Sequence, residues 1–559
     1  MRIRPTSTAL VLVLSYPASV AAQSPRLLDP LHDEAIYALV ERLELRGMPV
    51  HEYLTAKPWS TRDLASFLVR AESLALGQNE RDRASLKWLR RAAGLHPIGP
   101  DPDLEAAPLH HRIFVAPRLR LVTAAGEHDL DPPFASIRDR EESGDPTVAG
   151  EVGLRLAYEP LSGDFWAAVD ARAATDARER YDYRRRRRAA VDVRSGYVGW
   201  ENDRFLLALG RIPIEWGNGP VGGLGITASG PAVDGFLGRA RWGRAQLTVF
   251  SAFLPDERAN RARDPNGNTI PSSIPEPPIL LVDRYFHGHR IDVRVGKRLE
   301  FGINEAAIIT GFERRPDVRF LAGLVPYYVV QNDRDEIDQL DINLGVGGQY
   351  RLRLPGRLLF YGEFFANEVF VDPDIKEVIR GLRGQRLNTQ GFQQAVRWEE
   401  PFGWRGLGLE LEWVRIEAFL YLHRGLNTTW RQRDTPLGSF LGPDNTQVRL
   451  LARYDRMIGE TWARAKVGLA RRERGVGRIT SNEDIFGAGG IPQPTPRGTI
   501  EERWLGEIEI DGWRPGFGRL GVRLATGSVA NVNNMEGEDM VVLDFEVFLE
   551  IEPRWDWSF

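Results

Sequence analysis

The stretch "VVLDFEVFLEIEPRWDWSF", residues 541–559, constrains the fold more than any other feature of the chain. Val541, Leu543, Phe545, Val547, Leu549, Ile551, Pro553, Trp555, Trp557 and Phe559 put a carbon-rich side chain at every odd position. Asp544, Glu546, Glu550, Glu552, Arg554 and Asp556 fall between them. Strand side chains alternate faces with period two, so this segment has one oily face and one wet face along its whole length. A soluble sandwich would bury the oily face under a second sheet. A transmembrane barrel would turn it to lipid and turn the charged face to a watery lumen.

The same period runs from Leu109 onward, as in "EVGLRLAY" (151–158), "LDINLGVGGQYRLRL" (340–354) and "WARAKVGLA" (462–470). In "LGLELEWVRIEAFLYLH" (407–423) the apolar parity changes between Leu411 and Val414, which predicts a β-bulge near Trp413 within one long strand. Short turns recur at 160–164, 201–204, 243–244, 297–300, 354–357, 401–406, 455–460 and 511–518, with a long polar loop between each strand pair. Eight short turns and nine long loops join eighteen antiparallel strands. Sorting of short connections to one side and long ones to the other belongs to outer-membrane barrels, and sandwiches or propellers have no reason for it. The predicted fold is therefore an all-β transmembrane barrel of about 18 strands over residues 108–559. Its long loops, among them 258–278 and 428–438, are expected to stand outside the cell, and turns such as those at Gly163 and Gly356 to lie in the periplasm. Outer-membrane lipid would meet the apolar face. The terminal aromatic resembles the signal read by the barrel-insertion machinery of Gram-negative bacteria.

The opening residues fit that destination. Arg2 and Arg4, a short apolar run over 8–17 and the small residues Val20-Ala21-Ala22 form a secretory signal peptide, 1–22. No later apolar run is long enough for a spanning helix, which leaves barrel strands untouched as an option. A net charge of −4 gives no sign of a nucleic-acid binder. The absence of cysteine removes disulfides and thiolate metal sites. Residues 23–107 read as a small periplasmic helical region. Ile36, Leu39, Val40 and Leu43 form one apolar stripe, and Ser60 and Asp63 have capping-box spacing ahead of Leu64, Phe67, Leu68 and Ala71.

Inward positions interleave both signs of charge, for example Arg290, Asp292, Arg351, Glu410, Arg449, Glu509 and Arg523. A selective pore would favour one sign at its constriction. Interleaved arginine and carboxylate can pair across strands and fill the bore, so an occluded lumen is expected, with a solvated channel wall as the alternative. "ARERYDYRRRRRAA" (177–190) lies in a long loop. There Arg184, Arg185, Arg186, Arg187 and Arg188 could grip an acidic polysaccharide while Tyr181 and Tyr183 offer stacking faces, or the loop could be a solvated charged tip. The glycines of "GRIPIEWGNGPVGGLGITASG" (210–230) lack the lysine and helix of a phosphate loop and suit a loop folded inward. No nucleophile motif accompanies His287, His289 or His423, so neither catalysis nor a cofactor or metal is expected.

Several segments together resemble the Wzi capsule-assembly family of outer-membrane proteins. They are "GRIPIEWGNGP" (210–220), "FGINEAAIITG" (301–311), "LLFYGEFFANEVF" (358–370), "LELEWVRIEAFLYLH" (409–423) and "LGPDN" (441–445), with the helical opening "LVERLELRGMPV" (39–50). The resemblance implies an eighteen-stranded barrel with a periplasm-side helical region, a plugged lumen and a lectin-like role in holding capsular or exopolysaccharide. Gly210, Arg211, Trp216, Gly217, Gly219, Glu305, Tyr361, Gly362 and Glu363 match its pattern, with the shaping of barrel and plug as their implied work. Glu305 falls on the apolar parity of its own strand, so either a bulge intervenes there or the register is shifted. The alternatives to a polysaccharide binder are a substrate-selective eighteen-stranded porin and an outer-membrane enzyme modifying lipid or glycan.

Overall fold

The computed structural model describes residues 27–28, 30, 33–48, 50–75, 80–93, 111–126, 147–160, 165–175, 189–218, 223–228, 232–258, 281–311, 318–321, 325–331, 341–367, 389–423, 427–432, 435–477, 495–553 and 555–558. Eighteen antiparallel strands form one closed barrel. In chain order β1 is His111–Gly126, β2 Thr147–Pro160, β3 Phe165–Thr175, β4 Ala189–Glu201, β5 Phe205–Ile212 and β6 Val233–Trp242. Then come β7 Ala245–Arg258, β8 Leu281–Val295, β9 Leu299–Gly311, β10 Asp341–Leu354, β11 Leu358–Asn367 and β12 Gln390–Glu399. The last six are β13 Leu407–Ile416, β14 Asn445–Ile458, β15 Thr461–Arg474, β16 Glu501–Arg514, β17 Gly518–Ala530 and β18 Met540–Ile551, resumed after Pro553 as Trp555–Ser558. Each strand pairs with its neighbour in sequence, and β18 closes on β1 with Leu119 opposite Ile551 and Gly126 opposite Asp544. Seven of the eight expected short connections fall where the turn residues predict, and the eighth, 161–164 with Gly163, lies outside the described residues.

The period-two pattern decides which face is which. Leu450, Leu469, Ile508, Leu524 and Phe545 point outward and are exposed, while their neighbours Arg449, Glu507, Arg523 and Glu546 are buried in the bore. No helix among the described residues is long and apolar enough to cross a membrane.

Two register expectations are overturned. β13 pairs with β12 and β14 without any shift, so there is no bulge at Trp413. The strand instead ends at Ile416, and Val414 and Ile416 point inward into an apolar cluster that fills the upper bore. The parity change therefore records a change in what the lumen contains. β9 also runs without a shift, so Glu305 does sit on the outward face. There it accepts the backbone N–H groups of Tyr327 (2.6 Å) and Tyr328 (3.1 Å), at the start of a helical turn Tyr327–Gln331 that covers the outer wall beside Ala307, Ile309 and Leu344. A helix start offers unpaired N–H donors, and a carboxylate satisfies them.

Three helices precede the barrel: α1 (Glu34–Leu45), α2 (Thr61–Ala75) and α3 (Glu80–Ala92). The capping box forms as expected, with Ser60 N–H donating to Asp63 Oδ2 (2.9 Å) and Asp63 N–H to Ser60 Oγ (3.1 Å). Ile36, Leu39, Val40, Leu43, Leu64, Phe67 and Leu89 make their shared core. The helices are joined to the barrel rather than tethered beside it. Trp88 packs edge-to-face on Trp462 (5.3 Å) and Trp513 (5.1 Å), both at short-turn strand ends, and its indole N–H donates to the Trp513 carbonyl (3.1 Å).

Phe545→Arg places a cation on the outward face of the closing strand, at a cost of about 2–4 kcal/mol near a bilayer midplane. That variant is expected to fail to reach the heat-modifiable folded form. Glu546→Gln, one residue along and facing the bore, is expected to fold normally. Equal folding of both on gel electrophoresis would contradict the assignment of faces.

Candidate functional site

The bore is filled by the chain itself. After α1 the segment 50–57 enters the lumen, and Ala56–Lys57 pairs antiparallel with Glu215–Trp216, which descend from the β5–β6 connection. Lys57 Nζ reaches Glu215 Oε1 (2.6 Å), Gly217 N–H donates to the Thr55 carbonyl (3.0 Å), and Gln349 Nε2 donates to the Trp216 carbonyl (2.7 Å). The inward loop then doubles back so tightly that a Cβ on Gly217 would lie 2.4 Å from Gly223 Cα. Only glycine allows that approach. Glu363, from β11, accepts the N–H groups of Leu224 (2.8 Å) and Gly225 (3.3 Å) at the loop's turning point.

A second inward segment meets the first. In the β13–β14 connection, Tyr421 Oη donates to the Leu224 carbonyl (2.6 Å) and Trp430 Nε1 to the Gly225 carbonyl (2.7 Å). Thr227 N–H donates to the Leu437 carbonyl (2.8 Å). Arg284 of β8 holds this connection by donating to the carbonyls of Asn427 (2.7 Å), Thr429 (3.1 Å) and Arg431 (2.9 Å). Edge-to-face contacts of Trp216 with Phe250, Phe250 with Phe286, and Phe286 with Trp430 run through the same region. The stretch 428–438 was expected to stand outside the barrel, but Thr428, Trp430, Arg431 and Leu437 are buried within it. Irregular backbone inside a bore must find partners for its N–H and C=O groups, and wall side chains such as Arg284, Gln349 and Glu363 supply them.

Ion pairs lock the helical region into the short-turn mouth. Arg351 reaches Glu41 (3.1 Å), Glu44 (2.8 Å) and the inward loop's Asn218 (3.2 Å), so one guanidinium joins α1, wall and plug. Arg397 bridges Glu41 and Glu410. Arg42 of α1 reaches Glu399 (2.5 Å) and also pairs with Asp455. Asp63 receives Arg239 (2.8 Å) and Arg241 (2.5 Å). Burial pushes the Glu41 carboxyl up, but Arg397 and Arg351 outweigh it and hold the group down at about 2. Burial likewise opposes ionisation of Asp63, and Arg241 and Arg239 reverse it, leaving that carboxyl well below its ordinary range.

The residues singled out in the sequence divide three ways. Trp216, Gly217, Tyr361 and Glu363 converge on the plug or the wall that holds it, with Tyr361 beneath the Arg397 guanidinium (5.7 Å). Gly210, Arg211, Gly362 and Glu305 belong to the wall. Gly210 has φ +138° and a Cβ there would lie 2.2 Å from the Gly196 carbonyl oxygen, while Arg211 makes a forked pair with Asp234 (2.8 and 2.8 Å) on the outward parity. Gly219 and the candidate glycan contacts Tyr181, Tyr183 and Arg184 to Arg188 lie outside the described residues. Sequence reasoning missed the 50–57 segment and the inward course of 417–423, 427–432 and 435–437. The apolar run Ala418–Leu422 after the parity change was the one available sign of the latter. Among the described residues no three His, Asp or Glu side chains gather as a metal site would require.

A closed eighteen-stranded antiparallel barrel with an apolar outer band and a charged, chain-filled bore defines the class: the fold is that of the outer-membrane β-barrels. Among solved structures the chain matches Wzi of Escherichia coli, described as an outer-membrane protein involved in group 1 capsule assembly and a carbohydrate-binding β-barrel. The TM-score is 0.58 at 14% identity, covering 94% of this chain and 99% of that one. OccAB4 of Acinetobacter baumannii aligns at a TM-score of 0.40 and 9% identity over 80% of this chain and 99% of its own. OccD1 (OprD) aligns at 0.41 and 10% over 80% and 96%. No protein-family model and no curated protein sequence matches the chain.

The clamp at the short-turn mouth should be acid-labile. Carboxylates whose folded pKa lies below the unfolded value stabilise the folded state above the unfolded pKa, and that stabilisation is lost as pH falls through the folded value. For Glu41 the window runs from its ordinary 4.5 down to about 2. Protection factors of α1 amides, corrected for intrinsic exchange, are expected to fall across this window while β14–β17 stay protected. Unchanged α1 protection at pH 2.5 would contradict the clamp.

Proposed function

We propose that this protein is a non-enzymatic outer-membrane barrel that holds or helps assemble surface polysaccharide, capsular or exopolysaccharide, at its long-loop face. The observation that carries the reading is the Ala56–Trp216 pairing, where a segment from the helical side meets a loop from the opposite side inside the bore. A bore occupied in this way offers a polymer no path, which leaves the loop face and the helical face as working surfaces. The likeness to a barrel described as carbohydrate-binding supports the same reading. On it, the chain is exported by residues 1–22, the helical region lies in the periplasm, and the long loops face outward, lectin-like, toward the glycan. Its remaining partners are outer-membrane lipid and the insertion machinery.

Loss of the gene is expected to move surface polysaccharide from the cell into the medium without changing its total amount. Retention equal to wild type would remove the reading. The arginine loop refines it. If the polymer is acidic, replacing Arg184 to Arg188 with Gln is expected to leave folding intact and to reduce retention. The residual binding should also become less salt-dependent, because guanidinium–carboxylate attraction between exposed groups is screened over about 8 Å at physiological ionic strength. A neutral polymer would instead respond to Tyr181→Ala with Tyr183→Ala. Unchanged retention in both sets assigns this loop no part in binding.

A further inference from the structure

We propose that the short-turn end of the barrel carries a collar that binds the headgroup phosphates of anionic phospholipids in the leaflet on that side. Arg204, Arg244, Lys297, Arg298, Arg405 and Arg456 are all exposed at or beside short turns. They recur at the β4–β5, β6–β7, β8–β9, β12–β13 and β14–β15 turns, so they form an arc around the barrel rather than one cluster. Among the described residues none of the six makes an ion pair. Among the described residues the acids beside these turns are already taken. Asp203 meets Arg62 (3.1 Å), Glu460 meets Arg91 and Arg514, and Glu400 meets Arg46 (2.7 Å), Arg81 (3.1 Å) and Arg357. Among the described residues positive charge is thus left over at this rim, on a chain whose net charge is −4.

The position of the cations picks the occupant. Each lies within two residues of an exposed apolar side chain at the end of the outward band, except Arg298, which is three from Val295. Arg204 precedes Phe205, Arg244 follows Trp242, Lys297 follows Val295, Arg405 follows Trp404 and Arg456 precedes Ile458. Arg456 stands on the outward parity of β14, between the exposed Tyr454 and Ile458. An apolar ring with a cation beside it is the arrangement that sits at the boundary between acyl chains and headgroups, where the stem lies in the apolar zone and the charge reaches the phosphate. A soluble acidic polymer would use the cations but has no use for the apolar partners. The collar is independent of the polysaccharide reading, and either can fail alone.

The test uses the full chain in nanodiscs containing equal phosphatidylglycerol and phosphatidylcholine, with lipids retained on the protein counted by native mass spectrometry after release. Wild type is expected to keep phosphatidylglycerol over phosphatidylcholine by about threefold or more. Replacing all six cations with Gln is expected to bring the ratio close to one while heat-modifiable folding persists. If that variant does not fold, Arg244→Gln with Arg405→Gln should lower the ratio part of the way. No preference in wild type, or an unchanged preference in the variants, overturns the proposal. So does binding of a soluble oligogalacturonate that depends on the six residues when the lipid preference is absent, since the collar would then serve an acidic polymer.

Discussion

Everything in this structure depends on the pairing of β18 with β1. In hydrocarbon an unpaired backbone N–H or C=O group has no water to turn to, so a sheet survives there only if its edges meet. The ladder from Leu119–Ile551 to Gly126–Asp544 is that meeting, and the pairing of Ile113 with Trp557 extends it beyond the break at Pro553. Once closed, the barrel gives each strand residue one of two faces, the outer wall or the chain-filled bore. The alternation of the C-terminal segment is thus the chemical consequence of sealing the sheet.

Closure also creates a problem inside. A bore lined by Arg290, Arg397, Arg449, Glu410 and Glu412 would leave buried charges needing partners. Here the wall pairs with itself where it can, as Arg449 does with Glu410 (2.6 Å) and Glu412 (3.0 Å). Elsewhere it pairs with chain drawn into the lumen, as Arg351 does with Glu41 and Glu44. Breaking one member of such a buried set leaves a charge without compensation, which is more costly than never having placed it there. The plug and the wall therefore specify each other. The column from α1 through Thr55, Trp216 and Leu224 to Tyr421 is held by groups that only the closed barrel brings together.

The barrel was legible because its signals are local. Period two needs only neighbouring residues, and the turns at Gly243, Gly356 and Gly459 carry glycines at φ +60°, +78° and +59°, where glycine is favoured. The helices were legible for the same reason, through the stripe at Ile36–Leu43 and the box at Ser60–Asp63. The plug was not, because backbone lying in a bore is shaped by partners hundreds of residues away and has no period of its own. Glycines 217 and 223 hinted at an inward fold without saying what they would meet. The parity change before Val414 and Ile416 reads as a bulge near Trp413, because an inward apolar face makes no sense until the lumen is known to be filled with Leu224 and Leu420. Glu305 was puzzling for the converse reason, since its helix-start partner lies in a loop that no strand pattern reveals.

The structure closes the bore with the protein's own chain. Single-channel recording in planar bilayers tests it most directly, with the full-length protein beside a variant whose 215–228 hairpin is replaced by a short Gly-Ser link. No steady current is expected from the full chain, and stepwise current is expected once the hairpin is gone. Steady single-channel current from the full chain would contradict it and would restore the porin reading.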